Sequence, residues 1–338
     1  MKSWINLLKH NPVKPLLDSD NQAIIYYAKR DLSEEKTPPL LTIWNLETPK
    51  KLLKKQQASG FWQSKSANRN KAPAMNYDLF ETFKYFSQLI EMYEFNATHE
   101  SIRKAAEYIF SCQTEEGDIR GIIGEQYAPY YTGLLMSLLI KAGYANDARI
   151  KNGFKWLLKM RQHDGGWIIG SPGCFGEYSK DELSKLTTHF VGTKKDFDFS
   201  KPFTHSGTGM IIRAFAYHPE HRKSEAALKA AGLLKQQFFK KDNSTSYQDP
   251  DNWVNFKYPF FWTDLISALD SLSLMGISTD DVYIKNALKW LIDNQLETGL
   301  WDNSYSKIHS NIKNEKTYQI QLWVSLAICR IFKRFYSG

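Results

Sequence analysis

Apolar residues recur with a helical period along most of the chain, and no stretch bounded by turn residues alternates apolar and polar positions as a strand would. The segment Gly153–Gly170, GFKWLLKMRQHDGGWIIG, steps Phe154, Leu157 and Leu158 along one helical face. Its glycines suit a chain that leaves a helix through positive φ. The segment therefore predicts an amphipathic helix, a glycine turn and a tryptophan directly after it.

This unit of glutamine, glycine and tryptophan recurs along the chain. Its copies end at Trp62, Ile119, Trp167 and Trp301, and a weaker copy runs from Ala231 to Tyr247. Stacked repeats share one core, and this overrides the prior of about two domains at ~150 residues each. We therefore predict a single domain over residues 1–338 that includes an N-terminal helical segment at 1–42.

Two kinds of helix alternate between the repeat turns. Amphipathic helices are predicted near residues 48–57, 99–113, 147–162, 222–238 and 282–295. More apolar helices are predicted near residues 77–95, 127–143, 206–217, 260–275 and 317–335. A helix with one apolar face lies at a surface, whereas a helix that is apolar all round is buried. The predicted fold class is all-α: an α/α toroid (α6/α6 barrel) of about six helix pairs, with the apolar helices inside.

Loop lengths differ between the two ends of these helix pairs. An apolar helix is joined to the next amphipathic helix by a few residues, whereas many residues follow each repeat glutamine. Long loops on one face of a scaffold usually carry function. The pocket is therefore predicted to open where the apolar helices begin. The longest loop, 171–204, is predicted to act as a lid, because Gly173, Gly176 and Gly192 permit movement.

Composition narrows the functional classes. Three scattered cysteines are too few for a disulfide framework, which favours a reducing compartment. The longest apolar run is far below the ~20 residues of a membrane-spanning helix, so we expect a soluble, cytoplasmic protein. The net charge of +8 is spread along the chain, which argues against nucleic acid as a partner and leaves peripheral contact with a membrane surface open.

The glutamine at a helix end, the glycine in the turn and the tryptophan after it resemble the QW repeat of squalene–hopene and oxidosqualene cyclases. The same repeat, more loosely, marks the β-subunits of protein prenyltransferases. The likeness covers residues 43–335. The sequence resembles a short prokaryotic branch of this terpenoid cyclase and prenyltransferase-like superfamily, whose members have no assigned activity. It implies an α/α toroid that holds an isoprenoid or other hydrophobic small molecule in a central aromatic cavity.

The motifs that carry chemistry in those families are missing from this sequence. Squalene–hopene cyclases use an Asp-x-Asp-Asp acid motif and oxidosqualene cyclases use Asp-Cys-Thr-Ala-Glu, and neither occurs here. The nearest acidic cluster, Asp196 and Asp198, lies in the long loop. Cys174, His205 and Asp264 supply the residue types of the prenyltransferase zinc site without its order or spacing. We therefore predict neither a metal nor a cofactor.

Aromatic residues concentrate where the apolar helices begin. Their π faces can stabilise a carbocation by about 0.5–2 kcal/mol each, although aromatic rings also fill ordinary cores. The concentration of tyrosines favours a lined pocket with polar groups. The residues predicted to contact a substrate are Tyr77, Tyr127, Tyr131, Tyr258, Phe261, Trp262 and Trp323.

Three ionisable residues near these helix starts are the candidate catalytic groups. Asp264 lies among aromatic residues, where a protonated carboxyl is favoured, as a Brønsted acid for a polyene requires. It equally suits an aspartate stabilised by the N-terminus of its helix, and Asp78 has the same two interpretations. His205 precedes Ser206-Gly207-Thr208-Gly209. There an anion such as a diphosphate can reach backbone N–H groups, or glycine only permits close helix packing.

Three expectations concern structure rather than chemistry. The repeat tryptophans Trp62, Trp167 and Trp301 are predicted to pack near the ends of their own amphipathic helices. Residues 18–20, Asp-Ser-Asp, are predicted to cap the N-terminal helix. The short loop His218-Pro219-Glu220-His221 is predicted to be solvated.

Three functions remain open on this evidence. The first is a cyclase-like or prenyltransferase-like protein that binds an isoprenoid or similar lipid, with terpenoid cyclisation, isomerisation or prenyl transfer as its chemistry. The second is a carbohydrate-active enzyme, a polysaccharide lyase or glycoside hydrolase, with Asp78 and Asp264 as acid and base. The third is a non-catalytic toroid that binds a lipid or a protein. An apolar cavity with one buried carboxyl favours the first, and an open groove with paired carboxylates favours the second.

Overall fold

The computed structural model describes residues 4–66, 75–122, 127–169, 198–243, 249–306 and 314–337. The chain falls into two compact units. Unit 1 comprises Met1–Ile43 and Ala231–Gly338, and unit 2 comprises Trp44–Ala230. Most of the predicted lid, with its glycines, Cys174 and Asp196, lies outside the described residues. A single domain over the whole chain stays a prediction.

The described part of the chain contains thirteen α-helices, several short 3₁₀ and π helices and a few isolated β-bridges. The helices are α1 (Val13–Leu17), α2 (Gln22–Tyr27), α3 (Leu41–Trp44), α4 (Glu47–Leu53), α5 (Tyr77–Tyr93), α6 (Glu100–Ser111), α7 (Pro129–Leu139), α8 (Ala148–Lys159), α9 (His205–Tyr217), α10 (Glu225–Lys235), α11 (Leu265–Leu274), α12 (Val282–Asp293) and α13 (Glu315–Ser337). The predicted class, an all-α fold of the paired-helix α/α type, is confirmed. None of the described helices is both long and apolar enough to cross a membrane.

The apolar helices α7 and α9 form the core of unit 2. Every residue of α7 is buried, and so is every residue of α9 except Tyr217. The two helices approach closely at Gly133, where a Cβ atom would lie only 2.7 Å from Ile211 Cα. The amphipathic helices α6 and α8 bury one face each, as their sequence pattern predicts.

Unit 1 contains both ends of the chain. The apolar helix α13 packs against α11 and against the N-terminal helix α2. Arg330 Nε donates a hydrogen bond to Asp31 Oδ2 at 2.8 Å, and its guanidinium lies 4.8 Å from the ring centroid of buried Tyr27. Lys333 Nζ donates to the Asp31 carbonyl oxygen at 2.7 Å. These contacts attach the N-terminal helices to the last helix of the chain.

Two predicted helix starts are corrected by the capping contacts. Asn21, rather than residues 18–20, caps α2, because its Oδ1 accepts from the N–H groups of Ala23 and Ile24 at 3.1 and 3.2 Å. Helix α11 begins at Leu265 and not near residue 260. Asp264 and Ser267 form a reciprocal capping box there, which fixes the helix start after the aromatic residues.

The prediction for the loop at 218–221 holds for Pro219 and Glu220, which are exposed, but is wrong for His218, which is only 2% exposed. Its Nδ1 accepts from the backbone N–H groups of Glu220 and His221, so its Nε2 carries the proton and donates to the Ala145 carbonyl oxygen at 3.1 Å. The ring also meets Phe154 edge-on at 5.2 Å between centroids. A histidine whose two ring nitrogens both have partners can be buried at little cost.

Candidate functional site

Each repeat glutamine connects its own turn to a second segment of the chain. Gln113 Nε2 donates to the carbonyl oxygen of Gly117 in its turn at 2.6 Å and to that of Arg149 in the first turn of α8 at 2.9 Å. Equivalent pairs of bonds join Gln56 to Gly60 and Ser101, and Gln295 to Gly299 and His10. Gln162 differs, because it donates to the carbonyls of Asp198 and Lys201. The amide therefore holds neighbouring segments together at each turn.

The repeat glycine is required both by its backbone conformation and by its neighbours. Gly299 has a φ of 86°, and a Cβ atom there would lie 2.8 Å from the Asn11 carbonyl oxygen. Gly60 has a φ of 96°, and its Cβ would lie 2.2 Å from the Lys104 carbonyl oxygen. Real Cβ atoms do not approach a carbonyl oxygen so closely, so only glycine fits either turn.

The repeat tryptophans are buried, and their indole N–H groups are hydrogen-bonded. Their indole nitrogens donate to carbonyl oxygens in the preceding amphipathic helices at 2.7–2.8 Å, in the pairs Trp62–Leu52, Trp167–Leu157 and Trp301–Leu291. None of the three is more than 1% exposed. The prediction that they pack near the ends of their own helices is confirmed.

A buried hydroxyl on the apolar helix completes each unit, and no fixed sequence spacing reveals it. The backbone N–H at the end of the turn donates to this hydroxyl at 2.9–3.1 Å, in the pairs Trp62–Thr82, Ile119–Thr132, Trp167–Thr208 and Trp301–Ser325. The two partners are 13 residues apart in one copy and 41 in another. Each of these apolar helices contains more than one Thr or Ser, so the sequence does not single out the hydroxyl that is used.

The predicted substrate contacts of unit 2 are part of its packing. The Tyr127 ring stacks on Trp156 with 6.3 Å between centroids, and the Arg120 guanidinium lies 4.2 Å from the centroid of the Tyr127 ring. The Tyr127 hydroxyl donates to Glu116 Oε1 at 3.0 Å. Tyr131 is buried and packs against Tyr130 at 4.6 Å.

The candidate ionisable residues of unit 2 lie at helix starts, as predicted. Half-buried Tyr77 opens α5, and the next residue, Asp78, accepts a hydrogen bond from the Ser64 N–H through Oδ1 at 2.8 Å. His205, which is 3% exposed, is the first residue of α9. Thr204 caps this helix, and its Oγ1 accepts from the Gly207 N–H at 3.2 Å. That bond occupies one of the N–H groups considered above for an anion.

The candidate aromatic residues of unit 1 fall mainly in residues 257–263, which we call the aromatic segment. The Tyr258 ring lies parallel to Trp323 of α13, with 5.6 Å between centroids and 3° between planes. Phe260 meets Tyr258 edge-on at 5.0 Å, and the rings of Phe261 and Trp262 lie 4.9 Å apart. Phe260 and Trp323 are buried, whereas Tyr258, Phe261 and Trp262 are half-buried. The structure thus brings two predicted contacts, Tyr258 and Trp323, into one stack.

Asp264 follows the aromatic segment and closes it. Its carboxylate, in a residue 4% exposed, accepts from the Ser267 N–H through Oδ1 at 2.8 Å and from the Lys257 N–H through Oδ2 at 3.4 Å. One carboxylate therefore caps α11 and contacts the far end of the aromatic segment. The capping interpretation describes this geometry, and an acid role for the same group stays a proposal.

A pocket of about 410 Å³ lies in unit 1, between the end of α12 and the start of α13. It is on the loop that leads from the repeat glutamine to the apolar helix, as predicted for a pocket. Its polar lining consists of Thr298, Asp302, Asn303, Asn314, Thr317, Tyr318 and Gln321, and its apolar lining of Pro15, Leu296 and Leu300. Sequence reasoning missed these polar residues, because most lie outside any motif.

The described residues include metal-ligating side chains and two thiols. No three His, Cys, Asp or Glu side chains come together there as a metal site requires. Burial raises the pKa of both described thiols, Cys112 and Cys329, above the usual range. A thiol with a raised pKa is a poor nucleophile near neutral pH.

No protein-family model and no curated protein matches the chain. Among solved structures, a protein from Actinoplanes aligns over 98% of this chain and 89% of its own, with 12% identity and a TM-score of 0.44. A variant of the type II terpene cyclase MstE from Scytonema, in complex with geranylgeranyl dihydroxybenzoate, aligns over 87% and 98%, with 13% identity and a TM-score of 0.35. A polysaccharide lyase aligns over 88% of each chain, with 12% identity and a TM-score of 0.40. These likenesses concern the helical fold alone.

Proposed function

We propose that the protein binds an isoprenoid or similar apolar ligand at the aromatic segment, with Asp264 as the candidate acid for a cyclisation. The observation that carries the proposal is that one short loop combines the Tyr258–Trp323 stack, the half-buried Phe261 and Trp262, and a buried carboxyl. Apolar ring surface that stays in contact with water is unfavourable by roughly 25 cal/mol per Å². An apolar ligand that covers these rings recovers that free energy.

The chemistry proposed for this loop is protonation of a double bond. Transfer of a proton from Asp264 breaks its O–H bond, forms a C–H bond on the polyene and leaves a carbocation on the neighbouring carbon. Oδ1 receives the Ser267 N–H at 2.8 Å and Oδ2 receives the Lys257 N–H at a longer 3.4 Å, so the proposal assigns the proton to Oδ2. The neighbouring aromatic rings stabilise the cation through their π faces, and loss of a proton from the cyclised cation returns the carboxyl to its acid form.

The candidates of unit 2 are proposed for that unit by itself. Asp78 and His205 are its proposed catalytic groups, and Tyr77, Tyr127 and Tyr131 are its proposed ligand contacts. Tyr127 is the least suited of them, because both its ring and its hydroxyl already contact other side chains. A single alanine substitution at each position, scored by ligand retention, ranks them.

Native mass spectrometry of the purified protein tests the binding proposal. We expect a bound isoprenoid or other lipid in the natural chain and its loss in a Phe261→Ala/Trp262→Ala double variant. Tyr283→Ala is the matched control, because Tyr283 is an aromatic residue of the same unit, 37% exposed, on the amphipathic helix α12. Absence of any lipid, or equal lipid in all three proteins, contradicts the proposal.

Asp264→Asn tests the acid role separately, once a turnover has been measured. The amide keeps the shape of the side chain and an oxygen for the Ser267 N–H, but it cannot donate the proton. We expect unchanged ligand retention with loss of turnover. Full activity in Asp264→Asn ends the acid role and leaves the binding proposal standing.

A further inference from the structure

The pocket at the start of α13 has the volume of a small polar ligand. Its volume of about 410 Å³ corresponds to roughly a dozen water molecules at ~30 Å³ each. A six-carbon sugar has about the same number of carbon and oxygen atoms. Bonded atoms lie closer together than separate water molecules, so one sugar ring fits with space for part of a second.

The charges of the described lining argue against an anionic ligand. Among the described residues, no Lys, Arg or His lines the pocket, and the single charged one is Asp302. A phosphate or carboxylate placed there would lose its hydration without gaining a positive partner. The remaining polar residues are amides and hydroxyls, which both donate and accept hydrogen bonds. This mixture suits a neutral ligand with several hydroxyl groups.

Two amides of the lining have hydrogen-bonding capacity to spare among the described residues. Asn303 Nδ2 donates to the Thr317 carbonyl oxygen at 2.7 Å, whereas its Oδ1 is buried and accepts no hydrogen bond there. Exchanging the nitrogen and oxygen of the Asn303 amide does not give Oδ1 a donor, because Oδ1 would then face the Thr317 carbonyl oxygen, which can only accept. Half-buried Gln321 also makes no side-chain hydrogen bond within the described ranges. Of these two amides, that of Gln321 is the one a ligand hydroxyl can reach, because Asn303 Oδ1 has almost no surface accessible to water.

Apolar surface completes the lining. Tyr318 is 39% exposed, and Pro15, Leu296 and Leu300 also line the pocket. The C–H face of a sugar ring packs against such surface while its hydroxyls reach the amides.

We propose that this pocket binds a neutral polyhydroxylated molecule of one or two sugar rings, either free or as the end of a glycan. The inference does not rest on the lipid proposal, since it concerns other residues and an opposite chemistry. The proposed activity is binding and not cleavage, because glycoside hydrolysis generally uses two carboxyl groups and the described residues of the lining supply one, Asp302.

Saturation-transfer difference NMR on the full chain tests the proposal with glucose, N-acetylglucosamine, cellobiose and glucuronate as probes. We expect transfer from the protein to at least one neutral sugar and weaker transfer to glucuronate. Tighter binding of cellobiose than of glucose identifies a glycan end as the ligand, and the reverse identifies a free sugar. No transfer to any neutral probe at millimolar concentration overturns the proposal.

Two substitutions locate the binding, and a third serves as the control. Gln321→Leu removes the amide at nearly constant volume and should raise the dissociation constant about 5–10-fold, as loss of one hydrogen bond does. Tyr318→Ala should also weaken binding. Gln319→Leu is matched to Gln321→Leu, because Gln319 lies on the same helix and bonds to Asn21, Asp20 and Glu315 away from the pocket lining. Neutral-sugar binding that survives both pocket substitutions overturns the assignment of this site.

Discussion

The turn Gln295–Trp301 and the aromatic segment 257–263 both precede an apolar helix of unit 1, yet their side chains are used differently. In the turn, the Gln295 amide and the Trp301 indole both donate to backbone carbonyl oxygens, and Trp301 is fully buried. In the aromatic segment, Tyr258, Phe261 and Trp262 keep part of their surface exposed. A segment that satisfies its polar atoms internally and buries its ring serves the scaffold. The partly exposed rings of the aromatic segment are the surface that the proposed ligand would cover.

Trp301→Ala is the substitution expected to have the largest effect. Truncation of a fully buried tryptophan removes its packing and leaves the Leu291 carbonyl oxygen without its indole donor, so we expect a loss of ~3–5 kcal/mol in unfolding free energy. Chemical denaturation measures it. Trp262→Ala is the comparison from the aromatic segment, and half-buried Trp262 should cost less than half as much.

The two tryptophan variants together test whether the aromatic segment differs from the repeat turn. If Trp262→Ala is as destabilising as Trp301→Ala, the aromatic segment is scaffold and the lipid proposal loses its main support. If Trp301→Ala keeps its melting temperature, the structural role of the repeat tryptophan is wrong.

The second-largest expected effect on stability concerns the repeat glycine Gly299. Gly299 and Gly276 both have positive φ, 86° and 74°, so alanine pays a backbone cost of about 1–2 kcal/mol at either position. A Cβ at Gly299 would also meet the Asn11 carbonyl oxygen at 2.8 Å, whereas a Cβ at Gly276 would meet nothing within 4 Å. We therefore expect Gly299→Ala to be ~1–3 kcal/mol worse than Gly276→Ala in thermal unfolding. Equal losses would show that the turn can shift away from Asn11.

The helices and repeat turns were predictable because their causes are local. Helical periodicity and the glycine turn place every helix pair, and the buried repeat tryptophans follow from the recurrence itself. The start of α11 was wrong because an apolar run, Phe260 to Trp262, was read as helix. The decisive signal was the capping pair Asp264 and Ser267, which is also local and readable.

The remaining differences depend on contacts between residues far apart in the chain. His218 can be buried because the Ala145 carbonyl oxygen, 73 residues away, accepts a hydrogen bond from its Nε2–H. The hydroxyl of Thr208 receives the N–H of Trp167 across 41 residues. The polar pocket likewise depends on how Pro15 approaches the loop at 296–303. No local pattern determines such pairings, so neither the buried histidine nor the polar lining of the pocket could be predicted.

The buried hydroxyls give a smaller effect. Ser325 Oγ receives the Trp301 N–H at 3.0 Å, so Ser325→Ala leaves a buried donor without a partner and should cost ~1–3 kcal/mol in urea denaturation. Ser137→Ala is the control, because buried Ser137 donates to the Leu134 carbonyl oxygen of its own helix at 2.7 Å. That carbonyl belongs to the helix ladder, so the control should lose less than about 1 kcal/mol. A Ser325→Ala variant no worse than Ser137→Ala would remove the hydroxyl from the repeat unit.

The smallest expected effect concerns Asp281, the capping aspartate of helix α12, which is compared with Asp264. Asp281 caps α12 and forms an ion pair with Lys235. Burial alone would raise the pKa of Asp281, but the hydrogen bond and charge of Lys235 and the backbone N–H groups of α12 outweigh it and lower that pKa below its usual 3.8. A carboxyl with a lowered folded-state pKa stabilises the fold above pH ~4 and loses that contribution as the pH falls through the folded value. Asp281→Asn keeps an oxygen for the cap but cannot pair with Lys235, so it should cost about 0.5 kcal/mol at pH 7 and progressively less as the pH falls through the lowered folded-state pKa. Lys235→Met should remove the same contribution, and the double variant should lose no more than either single one in urea titrations at each pH. A loss in Asp281→Asn that is absent from Lys235→Met would assign the effect to the cap itself and would make Asp281 the same kind of group as the capping carboxylate of α11.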